Sequence, residues 1–138
     1  MANPNIVNVT AIYGSTAYVT PSATSVSVAW TYADVSTSGS VSLTGLTPAS
    51  GTVIKVDNVV ACNVTSSAAV VSLAISNNPT YASGTAYYIA YQVSVPPNSS
   101  VVLVDKSTPF YVTQFQSVGV IVGTASAINI TASIESIT

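Results

Sequence analysis

Ile128-Asn129-Ile130-Thr131-Ala132-Ser133-Ile134-Glu135 is the stretch whose reading decides the fold. In an extended chain Ile128, Ile130, Ala132 and Ile134 fall on one side and Asn129, Thr131, Ser133 and Glu135 on the other. That period of two marks a half-buried β-strand. The same test groups Val71, Leu73 and Ile75 against Ser72, Ala74 and Ser76, and it sets Val26, Val28 and Trp30 on one face. At the start, Val7, Val9 and Ala11 alternate with Asn8 and Thr10. A long central run carries Tyr87, Ile89, Tyr91, Val93 and Val95 against Tyr88, Ala90, Gln92 and Ser94, so Tyr87 and Tyr91 are expected in the core and Tyr88 outside it.

Further strands are expected at Val41 to Leu43, Val53 to Val60, Val101 to Val104, Phe110 to Thr113 and Val118 to Val122. Turn chemistry separates them: Tyr13-Gly14-Ser15, Ser38-Gly39, Pro48-Ala49-Ser50-Gly51, Asn77-Asn78-Pro79, Ser83-Gly84 and Pro96-Pro97-Asn98. The span Ala33 to Ser40 is the least regular and is expected to be an exposed loop. No stretch repeats apolar residues at helical spacing, and β-branched side chains dominate, which suits a pleated surface. With 138 residues, no linker and no internal repeat, residues 1–138 read as one domain. The fold class is all-β. Its expected form is an antiparallel β-sandwich of about eight to ten strands, with a jelly roll as the variant form.

Composition narrows the function. Lys55 and Lys106 are the only cations, there is no His or Arg, and Asp34, Asp57, Asp105 and Glu135 are scattered. Two lysines cannot neutralise the several phosphates that a nucleic-acid binder tracks, so no nucleic-acid partner is expected. Mean hydropathy is high at +0.57, yet the longest apolar runs, such as Ala86 to Tyr91, are far short of the roughly 18 to 20 residues of a spanning helix. No membrane partner is expected. The opening Met1-Ala2-Asn3-Pro4-Asn5 lacks the positive charge of a signal peptide, and synthesis in the cytosol is expected.

Cys62 is the single cysteine, within the apolar run Val59-Val60-Ala61-Cys62, and reads as a small buried hydrophobe. A lone Cys with no His supplies neither a disulfide framework nor a zinc site, and no Asp-rich loop offers calcium its oxygens. No cofactor or metal is expected. Catalysis has few groups to use. The four carboxylates form no local motif, and a Ser-Lys pair is the one nucleophilic arrangement the composition leaves. Asp105-Lys106 reads as a solvated charge pair at the end of the strand Val101 to Val104. No enzyme activity and no catalytic residue is assigned.

The outward strand positions hold Ser, Thr, Asn and small apolar residues where most soluble sheets carry Lys and Glu. Charge normally guards sheet edges against added strands, and charged residues are depleted from the centres of protein interfaces. Permanent assembly with neighbours, including copies of itself, is the expectation. Aromatic side chains with polar tips make the natural anchors, and Tyr88, Tyr81, Tyr13 and Tyr111 are the candidate interface residues.

Three segments carry a family resemblance. The opening Met1-Ala2-Asn3-Pro4-Asn5-Ile6-Val7-Asn8-Val9-Thr10 resembles the start of small β-rich virion structural proteins of tailed phages, especially phages of cyanobacteria. Val95-Pro96-Pro97-Asn98-Ser99-Ser100-Val101-Val102-Leu103-Val104-Asp105-Lys106-Ser107-Thr108-Pro109-Phe110-Tyr111-Val112 looks like that group's strand, turn, strand and Pro-aromatic pattern. The end, Ala125 to Thr138, is similar in its closing strand and in Glu135. Together they span about a third of the chain. Thr113-Gln114-Phe115-Gln116-Ser117 departs from the group, which carries more acid there. The resemblance implies a virion component assembled in the host cytoplasm: a capsid decoration or cement protein, commonly trimeric, bound to the major capsid protein. A tail, neck or baseplate component and a receptor- or glycan-binding virion module are the alternatives.

Overall fold

The computed structural model describes residues 9–34 and 39–138. Ten strands follow in chain order: β1 Ile12–Val19, β2 Ala29–Asp34, β3 Gly39–Thr44, β4 Val53–Asn63, β5 Ala69–Ser76, β6 Ala86–Val95, β7 Ser100–Val104, β8 Phe110–Val112, β9 Ser117–Val122 and β10 Ile128–Ile137. All pairings are antiparallel. A seven-stranded sheet runs β3-β2-β1-β10-β4-β7, with β8 also pairing β4, and it packs on a three-stranded sheet, β6-β5-β9. This is the expected all-β sandwich, divided unequally where a jelly roll would balance its two sheets.

The alternation read in the sequence fills the space between the layers. Ile128, Ile130, Ala132 and Ile134 of β10 are buried, as are Ile54, Val56, Val59 and Ala61 of β4, and they meet Val71 and Leu73 of β5 and Val118, Val120 and Val122 of β9 in one core. Trp30 is the largest side chain in it and is fully buried. Its indole Nε1–H donates to the Val118 carbonyl (3.1 Å), tying β2 to β9 across the sandwich.

The corner between the sheets is backbone-bonded as well. Ser27 and Val120 exchange hydrogen bonds of 2.8 and 2.9 Å at the outer edge of β9, after which the chain crosses into β2. Gly45 completes the corner by donating to Val28 and accepting from Val118, both at 2.6 Å. Its φ of +64° and the 2.5 Å that would separate an added Cβ from Ser117 Cβ restrict the position to glycine.

Asn63 is buried and fully satisfied. Its amide donates to the carbonyls of Ser67 (2.8 Å) and Val95 (3.0 Å), and its Oδ1 accepts from the backbone and hydroxyl of Thr65. A polar side chain so enclosed fixes the path from β4 to β5.

Four expectations are corrected. Tyr13-Gly14-Ser15, read as a turn, lies inside β1, because β10 offers a long edge that pairs every residue from Ile12↔Ile137 to Val19↔Ile130. Of the early strand expected from Val7 to Ala11, Val7 and Asn8 lie outside the described residues, and Val9 to Ala11 are not strand, Thr10 and Ala11 bonding the backbone of Thr138. Val26 to Val28 form the corner, so that β2 begins at Ala29. Of the loop expected from Ala33 to Ser40, Ala33 and Asp34 end β2 and Gly39 and Ser40 begin β3, pairing Ala33↔Ser40 and Asp34↔Gly39, and residues 35–38 lie outside the described residues.

β6 departs most from its pattern. Between Val71↔Val93 and Leu73↔Ala90 three steps of β6 face two of β5, and between Leu73↔Ala90 and Ala74↔Tyr88 two steps face one. Each extra residue is a bulge that re-aims the side chains beyond it. Gln92 takes up one of them at φ +47°, its N–H bonded to Ser72 Oγ (2.8 Å). As a result Ala90 joins Val93 against the core and Tyr91, between the two bulges, stands 61% exposed, while Tyr87 pairs Ile75 near the start of the strand and is 57% exposed.

Trp30→Phe is expected to remove about 2–4 kcal/mol of stability, because it leaves a gap and orphans the Val118 carbonyl, whose own N–H is already committed to Gly45. Urea unfolding checks this, and a loss below about 1 kcal/mol would contradict the cross-sheet tie.

Candidate interaction surface

The outer face of the seven-stranded sheet is flat in pattern and almost free of charge. The registers place Val102, Val60, Thr131, Tyr18, Thr31 and Ser42 in one transverse row over β7, β4, β10, β1, β2 and β3. Six strands at about 4.8 Å make a row of roughly 24 Å. Beside it lie Thr16 and Ser133 on one flank and Asn129, Cys62 and Ser100 on the other. Tyr18 and Val102 are about half exposed, at 49% and 59%. An open groove of about 590 Å³ adjoins Tyr18, lined by Thr20, Ser22, Ser25, Val26 and Thr31 among others.

Charge on this face gathers at one end. Lys55 Nζ is 2.7 Å from Asp57 Oδ1 and 3.4 Å from Glu135 Oε2, in a row where Lys55 lies between Tyr111 and Glu135. The hydrogen bond to Asp57 leads in holding the ammonium above its ordinary value of 10.5, and Glu135 adds to it. A Ser-Lys arrangement needs a neutral amine as base, and Lys55 is biased the other way. The expected Asp105–Lys106 pair takes another form. The Asp105 carboxylate accepts from the Ser107 backbone (2.8 Å) and hydroxyl, which lowers its pKa and closes the turn after β7. Among the described residues no three His, Cys, Asp or Glu side chains gather as metal ligands.

Cys62 corrects a further expectation. It is half-buried on the outer face, between Asn129 and Ser100, because Ala61 and Asn63 occupy the inward positions on either side of it.

The four candidate tyrosines do not form one surface. Tyr111 belongs to the row of Lys55 on the seven-stranded sheet. Tyr13 pairs Ser136 near the sheet's end and is 44% exposed. Tyr81 and Tyr88 lie on the outer side of the other sheet. Tyr81, in the short 3-10 turn Tyr81–Ser83, lays its ring over Gly119, where an added Cβ would come within 2.7 Å of Tyr81 Cε2 and 2.6 Å of Val26 Cγ2. Tyr88 pairs Ala74, and its ring meets that of Tyr91 edge-on, with centroids 4.7 Å apart at 70°. No charged residue occurs from Asn58 to Val104, the span that supplies these tyrosines. Sequence reasoning missed Tyr18, Tyr87 and Tyr91. The alternation of Tyr18 with buried Ala17 and Val19 was the signal for the first; the bulges hid Tyr91, and Tyr87 keeps the phase of its partner Ile75 yet stays exposed near the start of β6.

No protein-family model and no curated protein matches the chain. A solved structure described as "Bacillus endospore appendages form a novel family of disulfide-linked pili" is similar at 16% identity and a TM-score of 0.40, over 91% of this chain and 86% of that one.

Burial first, and then the neighbouring Tyr88, push the Tyr81 phenol above its ordinary value of 10.0. In an alkaline absorbance titration the Tyr81 phenol is therefore expected to ionise above its ordinary value. Gly119→Ala displaces the Tyr81 ring and should lower the pH at which Tyr81 ionises, read as the difference from a Tyr81→Phe control; an unchanged titration would contradict the close packing over Gly119.

Proposed function

We propose that the chain is a non-enzymatic structural component of a larger particle and that it works by adhesion through the outer face of its seven-stranded sheet. One observation carries this reading: the row from Val102 to Ser42, which crosses six strands without a charge. Hydroxyl side chains of that kind hydrogen-bond to a neighbour at modest desolvation cost, whereas burying Lys or Glu is expensive. With 7178 Å² of accessible surface, one contact of about 800 Å² engages only about 11% of the molecule, leaving area for several neighbours.

The finer reading is capsid decoration in a virion, with the assembled major capsid protein as partner. It rests on the resemblance carried by residues 1–10, 95–112 and 125–138. The second and third of these segments build β7, β8 and β10, which contribute to this same sheet. A protein that binds only the assembled lattice stabilises it by mass action, by a term that grows with free concentration over Kd. No chemical step is required, which agrees with a Lys55 held charged by two carboxylates.

Thr131→Lys tests the reading at the centre of the row. Thr131 is exposed, so the fold should hold to within about 0.5 kcal/mol. Cosedimentation with shells stripped of the protein should fall about tenfold or more, since an ammonium would be buried without a partner. Undiminished binding would overturn the assignment of this face. Recovery of the wild-type protein with tails instead of heads would replace the capsid reading and leave adhesion standing.

A further inference from the structure

The sandwich guards its sheet edges unevenly. The outer edge of β9 is covered by the Ser27 bridge. β6 is broken by two bulges, and the edge shared by β7 and β8 is interrupted by the turn bearing Asp105 and Lys106. Bulges, short strands and charge are the usual protections against strand addition. β3 has none of them. Gly39-Ser40-Val41-Ser42-Leu43-Thr44 contains no charge and no proline, and its register with β2 runs without a shift from Asp34↔Gly39 to Ala29↔Thr44.

Every second residue of an antiparallel strand turns its N–H and C=O away from the partner it already has. Among the described residues, no backbone hydrogen bond from outside the β2–β3 ladder reaches Ser40, Val41, Ser42 or Leu43. The side chains are also incompletely housed. Val41 and Leu43 follow Tyr32 and Trp30 onto the inner face, yet both are only half-buried, because the seven-stranded sheet overhangs a sheet of three. Leu43 packs against the core and Val41 lies beyond it.

We infer that β3 is a self-association edge, at which a second copy of this chain adds its own β3 antiparallel about a two-fold axis at Ser42. The pattern of the strand selects this occupant. Pairing about Ser42 sets Ser42 against Ser42, Val41 against Leu43 and Ser40 against Thr44, so apolar meets apolar on the inner face and hydroxyl meets hydroxyl on the outer face. A slip of one residue would oppose inner to outer positions all along the strand. No charge on β3 repels its copy, and the two Asp34 residues, each opposite a Gly39, fall at opposite ends of the pairing. The contact is isologous and closed. It joins two sheets of seven into one of fourteen strands with both outer faces on the same side, and it would give any surface bound by that face two linked attachment points.

Sedimentation equilibrium of the full chain tests this. The wild type should approach twice 14.0 kDa reversibly as concentration rises, while the Ser40 to Leu43 amides gain hydrogen-exchange protection in step. Ser42→Lys, on the exposed outer side, sets two ammonium groups face to face and should raise the dissociation constant about tenfold or more. Val41→Lys should do the same from the inner side. Val102→Lys, at the far edge of the sheet, should leave the dimer intact. A particle of 14.0 kDa at every concentration, a trimer of the kind the resemblance implies, or a dimer indifferent to Ser42→Lys would each overturn the inference. Lattice binding is read separately through Thr131, so either result can fail without the other.

Discussion

The alternation along β10 sets both the interior and the exterior of the molecule. Ile128, Ile130, Ala132 and Ile134 point into the sandwich, and pairing with β1 on one edge and β4 on the other imposes the same phase on both neighbours. Because a strand cannot bury one row without presenting the other, Asn129, Thr131 and Ser133 fix the character of the outer face as firmly as the isoleucines fix the core. From β10 the outer row extends through Tyr18 and Thr31 to Ser42 and through Val60 to Val102. The face keeps its phase across two irregularities, one between β10 and β4 at Ser133/Ile134 and one between β4 and β7 at Val59/Val60, because each skips one residue and leaves inner opposite inner and outer opposite outer on either side of it.

Strands with unbroken alternation could be read from the sequence, and those shaped by partners far along the chain could not. β4, β5, β7, β8, β9 and β10 lie close to where period and turn chemistry put them. β1 was hidden because Tyr13-Gly14-Ser15 has the local chemistry of a turn, and only the edge of β10, more than a hundred residues later, makes it a strand. Tyr88 lies outside the core as its alternation implies, but Tyr91 is turned outward by the two bulges that flank it, and a bulge is visible only against the opposing strand. Cys62 looked buried among apolar neighbours, yet phase decides over composition, and its phase is outward. Lys55 and Asp57 gave no hint of Glu135, eighty residues away, although the three form the sheet's cluster of charge.

Scarcity of charge joins the two functional conclusions. Across a face, it leaves a hydroxyl-bearing surface that a neighbour can cover without stranding a buried ion. Along an edge, it removes the ordinary barrier to another strand, and β3 is the edge where neither bulge nor turn replaces that barrier. The clustered cation of the sheet, Lys55, is held between two carboxylates. The distinctive properties of the sandwich lie in what its described surfaces omit.

The central claim, that the outer face of the seven-stranded sheet is covered in the assembled state, can be read with the chain's own thiol. Cys62 is half-buried on that face and is the single cysteine of the sequence. Its alkylation rate by a small maleimide should be compared in the free protein and in the particles that contain it. The account predicts steady labelling of the free protein and at least about tenfold slower labelling after assembly, with the rate restored on dissociation. Equal rates in the two states would show that the face stays open to solvent, and adhesion through it would have to be abandoned.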